Sequence, residues 1–297
     1  MQRIAFGATG ALVAPLGIGA IAVESDPSAA ARVVEQALDN GCNLVDTAAC
    51  YPGHEQFLGQ WLAHRREDFL LVSKCGHHAI GNDGVARSRP ITMDDIDAAL
   101  ERLRTDHLDA MLLHSYDVEP LQRGEALGVL ERARAQGKLR WVGYSGDGAA
   151  AAWAAGHEAV QVIECSINLA DQRNIVQVLP RCRERGVAVI AKKPIANAAW
   201  RCIGAPDGAH PAWRAYVERF AALDLAPEDH GCGDMAELAL RFTLSVPGVH
   251  CAIVGSADPA HRAANHAAVA RGPLSTTMRE RIRRRFDTLG ADWPPCN

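Results

Sequence analysis

Four residues of the sequence carry side chains that bind or release protons, and their spacing is typical of a functional site. Asp46, Lys74 and His114 each end a short apolar run, and Tyr51 follows Asp46 in the next loop. If these runs are parallel strands of one sheet, their carboxyl ends meet on one rim and the four side chains lie close together. A carboxylate, an ammonium, an imidazole and a phenol on one rim form an acid–base constellation.

Each of the four residues also has an ordinary structural interpretation when it is taken alone. An Asp at a strand end often caps the next helix, and an isolated Lys is usually a solvated charge. A single His such as His114 is more commonly a satisfied core residue. The functional interpretation therefore depends on all four residues occurring together.

The apolar runs belong to a regular alternation of predicted strands and helices. The strands are predicted at residues 16–19, 43–46, 69–74, 108–114, 140–145, 160–164, 187–192 and 250–255. The first helix illustrates the signals between them, because Asp26 and Pro27 form an N-cap pair and Gly41 follows the last periodic apolar residue. One helix is predicted over residues 120–136, and Pro180 should kink or shorten the sixth helix.

Eight strand–helix units with short links predict an α/β fold, a (β/α)8 TIM barrel, rather than an open doubly wound sheet. No G-x-G-x-x-G phosphate loop follows the first strand. A glycine-turned β-hairpin near residues 4–13 precedes the barrel and is placed to plug one end, and an extra helix over 277–289 follows it. We expect one domain over residues 1–297, with an insertion at about 193–233 after the seventh strand.

Composition excludes several other classes of protein. The 297 residues are 48% hydrophobic and 22% charged with a net charge of −4, so the sequence predicts no nucleic-acid or acidic-membrane partner. No apolar run approaches the about 20 residues that span a bilayer. The nine cysteines lack C-x-x-C spacing, which favours reduced thiols in a cytoplasmic protein and predicts no structural metal site.

Several motifs together resemble the aldo-keto reductase superfamily, from the hairpin to about Asn265. The motifs are Asp46-Thr47-Ala48 with Tyr51, His54-Glu55, Leu58-Gly59, Lys74, Leu112-Leu113-His114, Leu139 to Ser145, and Ile253 to Ser256. The order and spacing of the four proton-handling residues make the resemblance specific. It implies a nicotinamide-dependent reductase of small carbonyl compounds.

The chemistry of carbonyl reduction fits these residue types independently. Hydride transfer to a carbonyl leaves an alkoxide that must be protonated, and the resemblance assigns this proton to Tyr51. A phenol has a pKa of about 10, and Lys74 beside the hydroxyl is expected to lower that value. Asp46 would hold the ammonium in place, and His114 would donate a hydrogen bond to the carbonyl.

The resemblance implies a nicotinamide site that departs from the family pattern at three positions, the first being Gly146, where an Asn companion of Ser145 is usual. Ser145 matches a carboxamide contact, Glu164 stands in place of a Gln, and Lys192 stands in place of a stacking aromatic residue. We expect Lys192 and Glu164, on neighbouring strands, to form a salt bridge under the nicotinamide ring. The alternative is an ordinary ion pair on the barrel rim.

The resemblance also implies a phosphate turn at the start of a helix. Gly255 and Ser256 match its backbone-rich part, and Asn265 closes the segment. NADPH-specific members carry a Lys and an Arg around the 2′-phosphate, and the matching positions here are Gly255 and His261, with Arg262 one residue on. We expect NADPH as the cofactor, with NADH as the alternative.

Two other functions compete with the reductase. One is a regulatory subunit that binds NADPH, senses redox state and turns over little, which the departures at Glu164 and Lys192 favour. The other is a metal-assisted hydrolase, because His77, His78 and His114 are expected near one rim. The His-x-His pattern usual after the first strand of such barrels is missing there.

Overall fold

The chain forms a closed barrel of eight parallel strands that follows a short hairpin, β1 (Ile4–Ala5) and β2 (Leu12–Val13). The computed structural model describes residues 1–19, 26–77, 88–204, 210, 213–294 and 296. The barrel strands are β3 (Leu16–Ile18), β4 (Leu44–Asp46), β5 (Leu70–Cys75), β6 (Leu108–His114), β7 (Leu139–Ser145), β8 (Val162–Ser166), β9 (Ala188–Lys192) and β10 (Cys251–Val254). They are neighbours in chain order, and β10 pairs with both β9 and β3. The predicted (β/α)8 barrel is confirmed.

The barrel interior is a packed core that the hairpin closes at one end. Phe6 belongs to the interior apolar cluster and meets Trp141 edge-on, with 5.9 Å between ring centroids. Ala8 donates its N–H to the carbonyl of Gly186, just before β9, at 2.7 Å. Since this contact lies at a strand start, the hairpin covers the amino end of the barrel. The carboxyl-end rim stays open for a site.

Helices surround the barrel and connect its strands. They are α1 (Pro27–Asp39), α2 (His54–Trp61), α3 (Met93–Leu103), α4 (Val118–Arg123), α5 (Glu125–Ala135), α6 (Gly148–Gly156), α7 (Arg173–Gln177), α8 (Leu179–Arg185), α9 (Arg214–Leu223), α10 (Met235–Ser245), α11 (Pro259–Ala270) and the extra helix α12 (Thr276–Leu289). Asp26 caps α1 by accepting the N–H of Ala29 at 2.8 Å, with Pro27 in the first helical position. The predicted start of this helix is therefore confirmed.

Two predicted helices are each divided into two shorter helices in the structure. The single helix predicted over residues 120–136 is wrong, because α4 and α5 meet at Gly124, whose φ of +75° is left-handed. A left-handed residue ends an α-helix. The shortening predicted at Pro180 is confirmed, since α7 and α8 are separate helices that meet at Val178, and Pro180 lies at the start of α8.

The insertion after β9 lies over the carboxyl end of the barrel. It contains short 3-10 turns at Ala196–Cys202 and the helix α9. Trp200 packs edge-on against Phe220 of α9, with 5.3 Å between ring centroids. Among the residues described, no helix is long and apolar enough to cross a membrane.

Candidate active site

The structure brings the four proton-handling side chains together at the carboxyl-end rim. Lys74 Nζ lies 2.5 Å from Asp46 Oδ1 and 3.0 Å from the carbonyl oxygen of Thr47. The same nitrogen is 5.5 Å from the centroid of the Tyr51 ring. The rings of Tyr51 and His114 are perpendicular, with centroids 6.2 Å apart. The strand ends of β4, β5 and β6 therefore place all four side chains around one space.

Lys74 is shared by two buried carboxylates. Its side chain is fully buried, and Glu164 Oε2 lies 3.3 Å from Nζ in addition to the Asp46 contact. Burial alone would lower the pKa of Lys74, but Asp46 and Glu164 outweigh burial and raise it. Burial raises the pKa of Asp46, and the neighbouring Glu164 raises it further against the opposing effect of Lys74. Lys74 is therefore held in its charged form, whereas burial and Glu164 disfavour the charged form of Asp46.

The expected effect of Lys74 on Tyr51 is only one part of the electrostatics. Lys74 does lower the pKa of Tyr51, but burial and the carboxylates of Asp46 and Glu164 raise it, and the net pKa is above the ordinary value. The expected lowering by Lys74 is present, but burial and the two carboxylates reverse the direction of the net shift in the Tyr51 pKa. Tyr51 is a protonated phenol near neutral pH.

His114 is held as a neutral imidazole. Burial, followed by the positive charge of Lys74, lowers the pKa of His114 to about 2. Its Nδ1 lies 3.5 Å from the sulfur of Cys50, so the thiol can donate to Nδ1 and leave the proton on Nε2. The imidazole then remains a hydrogen-bond donor without carrying a charge.

The predicted salt bridge between Lys192 and Glu164 is wrong. Lys192 Nζ pairs instead with Asp147 Oδ2 at 3.2 Å, and Glu164 pairs with Lys74. Strand register explains the difference, because Glu164 is level with Ser145 on β7, whereas Lys192 is level with Ser166. Lys192 therefore lies further along the rim than Glu164. This offset between Glu164 and Lys192 cannot be predicted without knowing how the strands pair.

Asp147, the partner of Lys192 on the barrel rim, is not among the site residues predicted from the sequence. It accepts the N–H of Ser166 at 2.6 Å and the side-chain amide of Asn174 at 2.7 Å. Burial would raise the pKa of Asp147, but Lys192 and the hydrogen bonds from Ser166 lower it. Its position directly after β7, near a Lys at the end of β9, is the signal that could have identified it.

A cleft of about 580 Å³ opens beside Tyr51 and reaches the start of α11. Its lining includes most of the residues predicted to contact the cofactor: Glu164, Lys192, Gly255, Ser256, His261 and Asn265. Trp200 and Trp213 from the insertion contribute an apolar wall. Ser145 lies below the cleft and donates its hydroxyl to Glu164 Oε1 at 3.1 Å.

The floor of this cleft holds an acceptor that suits a nicotinamide carboxamide. Glu164 Oε2 is buried and has no hydrogen-bond donor within the described part of the chain, since Lys74 Nζ contacts it without hydrogen-bond geometry. A buried acceptor without a donor is costly. The amide group of a nicotinamide could supply that donor. The residues present therefore fit a nicotinamide cofactor.

Arg262 does not face this cleft. Its guanidinium donates to the carbonyl of Ser256 at 2.8 Å, and the side chain lines a separate groove between α1 and α11. His261 lines the cleft, half-exposed, 3.6 Å from Asp258. Arg262 supports the backbone of the turn, and its cofactor role stays a prediction.

The histidines considered for a metal-assisted hydrolase are only partly described. His78 lies outside the described residues. The rings of His77 and His114 are 4.7 Å apart, and Cys50 completes a group whose ligand atoms all lie within 4.8 Å of one another. No carboxylate belongs to this group.

Comparison with known proteins gives consistent matches over most of the chain. A model of the aldo/keto reductase family matches residues 15–285. L-galactose dehydrogenase of Arabidopsis thaliana is 28% identical over 285 residues, which cover 89% of this chain and 87% of that protein. The NADH-specific methylglyoxal reductase of Escherichia coli strain K12 is 24% identical over 220 residues, covering 66% and 68%.

A solved structure has the same fold over nearly the whole length of both chains. The holo form of an aldo-keto reductase from Bacillus halodurans superposes with a TM-score of 0.82 at 26% identity, covering 96% of each chain. The barrel, the rim residues and the family match agree with one another. This chain belongs to the aldo/keto reductase family.

Proposed function

We propose that this chain reduces a small aldehyde or ketone to an alcohol, using hydride from NADPH or NADH. The observation that carries the proposal is the buried Lys74–Asp46 pair beside the ring of Tyr51. Tyr51 and Asp46 line a cleft whose floor holds Glu164, an acceptor that suits a nicotinamide carboxamide. The bound nicotinamide would supply the hydride. The residues of the chain supply the proton and the orientation of the carbonyl.

Tyr51 delivers the proton in this proposal. Its phenol is protonated at neutral pH, so a proton is present for transfer to the substrate. As the carbonyl oxygen gains negative charge, the Tyr51 O–H bond breaks and the new alcohol O–H bond forms. The phenolate that remains is stabilised by the ammonium of Lys74, which burial and its two carboxylates keep in place.

His114 orients the carbonyl without supplying a charge. A neutral imidazole with its proton on Nε2 donates one hydrogen bond, and Cys50 at Nδ1 favours that tautomer. A cationic histidine would compete with Tyr51 as the acid. The low pKa of His114 therefore favours Tyr51 over His114 as the proton donor.

We propose that both cofactors are accepted, with NADPH favoured by less than about tenfold. His261 is the side chain near the helix start that faces the cleft as a candidate for the 2′-phosphate, and it is half-exposed beside Asp258. Exposed contacts of this kind contribute about 0–1 kcal/mol, and tenfold corresponds to about 1.4 kcal/mol. Arg262 adds little because its guanidinium is bonded to backbone carbonyls.

The test is loss of reduced-nicotinamide absorbance with a panel of small aldehydes, with NADPH and NADH measured side by side. Steady turnover with either cofactor supports the proposal. Tight cofactor binding without turnover of any aldehyde would contradict it and would favour the regulatory subunit instead.

A further inference from the structure

Three residues at the edge of the site form a group that the reduction does not require as a unit. Cys50 follows β4, His77 follows β5 and His114 ends β6, so three neighbouring strand ends bring them together. One ligand atom from each lies within 4.8 Å of the other two, and all three residues are half-buried. Cys50 Sγ and His114 Nδ1 are 3.5 Å apart.

We propose that Cys50, His77 and His114 bind a zinc ion or a similar thiophilic divalent metal. Two imidazoles and one thiolate are ligands that Zn²⁺ prefers, and three protein ligands leave a fourth position open. The group contains no carboxylate, which disfavours Mg²⁺ and Ca²⁺. Metal binding would release the thiol proton of Cys50 to solvent.

The distances are close to those of a tetrahedral site. Metal–ligand bonds of about 2.0–2.3 Å place neighbouring ligand atoms roughly 3.3–3.6 Å apart. The separation of Cys50 and His114 already has this value. The ligand atom of His77 lies within 4.8 Å of the other two, so it would need to come closer to them by at most about 1.5 Å. The ring of His77 already lies at a tilt of 32° to that of His114.

The binding itself is tested with Co²⁺, which reports a thiolate ligand through a near-ultraviolet charge-transfer band. We expect one Co²⁺ per chain, a band that excess Zn²⁺ abolishes, and no effect of Mg²⁺. Cys50→Ser should remove the band. The matched control is Cys202→Ser, which alters another half-buried cysteine, in the insertion, and should retain it.

A second variant separates metal ligation from misfolding. His77→Asn keeps the thiol and should lower Co²⁺ affinity by more than the about 100-fold seen for outer-shell partners, with an unchanged circular dichroism spectrum. A band that persists in Cys50→Ser, or no band in the wild-type chain at millimolar Co²⁺, would overturn the proposal. Because the readout needs no turnover, the metal site and the reductase function can fail separately.

Discussion

Lys74 Nζ lies 3.3 Å from Glu164 Oε2 while it also pairs with Asp46. Two buried carboxylates thus share one buried cation beneath Tyr51. This arrangement keeps the ammonium charged and raises the pKa of the phenol. The phenol is therefore protonated near neutral pH.

Glu164→Gln should make Tyr51 more acidic. Glu164 raises the pKa of Tyr51, so its neutralisation should lower that pKa. Alcohol oxidation needs the phenolate of Tyr51, and its rise with pH should therefore begin at a lower pH. The measurement is the pH dependence of kcat/KM for oxidation. The control is Glu119→Gln, in a solvent-exposed ion pair with Arg123, which should leave the profile unchanged. An unmoved or upward-shifted profile for Glu164→Gln would show that Glu164 does not act on Tyr51.

Lys74→Met should destabilise the fold as well as abolish turnover. Removing one partner from a buried ion pair costs about 3–5 kcal/mol, and here two carboxylates lose their cation. The loss should be smallest in mild acid. Without Lys74 the folded-state pKa of Asp46 rises further, so a proton binds more tightly to the folded chain than to the unfolded chain.

The measurement for Lys74→Met is urea unfolding at several pH values. The free energy of unfolding should fall as pH rises from about 4, the usual pKa of a carboxyl in the unfolded chain, through the folded-state pKa of Asp46. Lys138→Met is the control, since its partly exposed pair with Asp97 should contribute at most about 1 kcal/mol. Equal destabilisation of both variants would contradict a special role for the buried pair.

His114 should not titrate in the physiological range. Its pKa of about 2 predicts that the ring stays neutral across about pH 5 to 8, where an ordinary histidine changes charge. The measurement is the ring chemical shift of His114 by NMR, assigned by comparison with His114→Gln. A midpoint near the ordinary histidine value would mean that the imidazole is protonated during the reaction, and would weaken the assignment of the proton to Tyr51.

The two basic residues at the start of α11 should respond differently to substitution. Arg262→Met should weaken NADPH and NADH alike, because the guanidinium supports the backbone of the turn through Ser256. His261→Ala should weaken NADPH selectively, by less than about tenfold. The ratio of kcat/KM for the two cofactors is the quantity to compare. A large selective loss of NADPH in Arg262→Met would place that side chain at the 2′-phosphate.

The positions of Asp46, Lys74 and His114 could be predicted because strand ends are visible in the sequence. A polar residue that closes an apolar run lies on the same rim as its counterparts once the strands are parallel. The partners of Glu164 and Lys192 could not be predicted, since they depend on the stagger between β8 and its neighbours. A shift of two residues along a strand separates the two side chains and leaves the apolar pattern unchanged.

The direction of the pKa shift of Tyr51 could not be predicted from the sequence pattern either. The sequence predicts the positive charge of Lys74 near Tyr51. The opposing effects of burial and of a second carboxylate, Glu164, are visible only in the folded structure. The orientation of the Arg262 side chain could not be predicted either, although its neighbours in sequence suggest a phosphate contact. Its guanidinium is oriented by hydrogen bonds to nearby backbone carbonyls.

The most direct test of the account is Tyr51→Phe, measured for turnover and for cofactor affinity in the same preparation. The change removes the hydroxyl and keeps the ring against His114 and Lys74. We predict a loss of kcat of at least about 100-fold, the usual contribution of a general acid, with the Kd for NADPH changed by less than about twofold. Near-normal kcat in Tyr51→Phe would show that another group supplies the proton and would contradict the account.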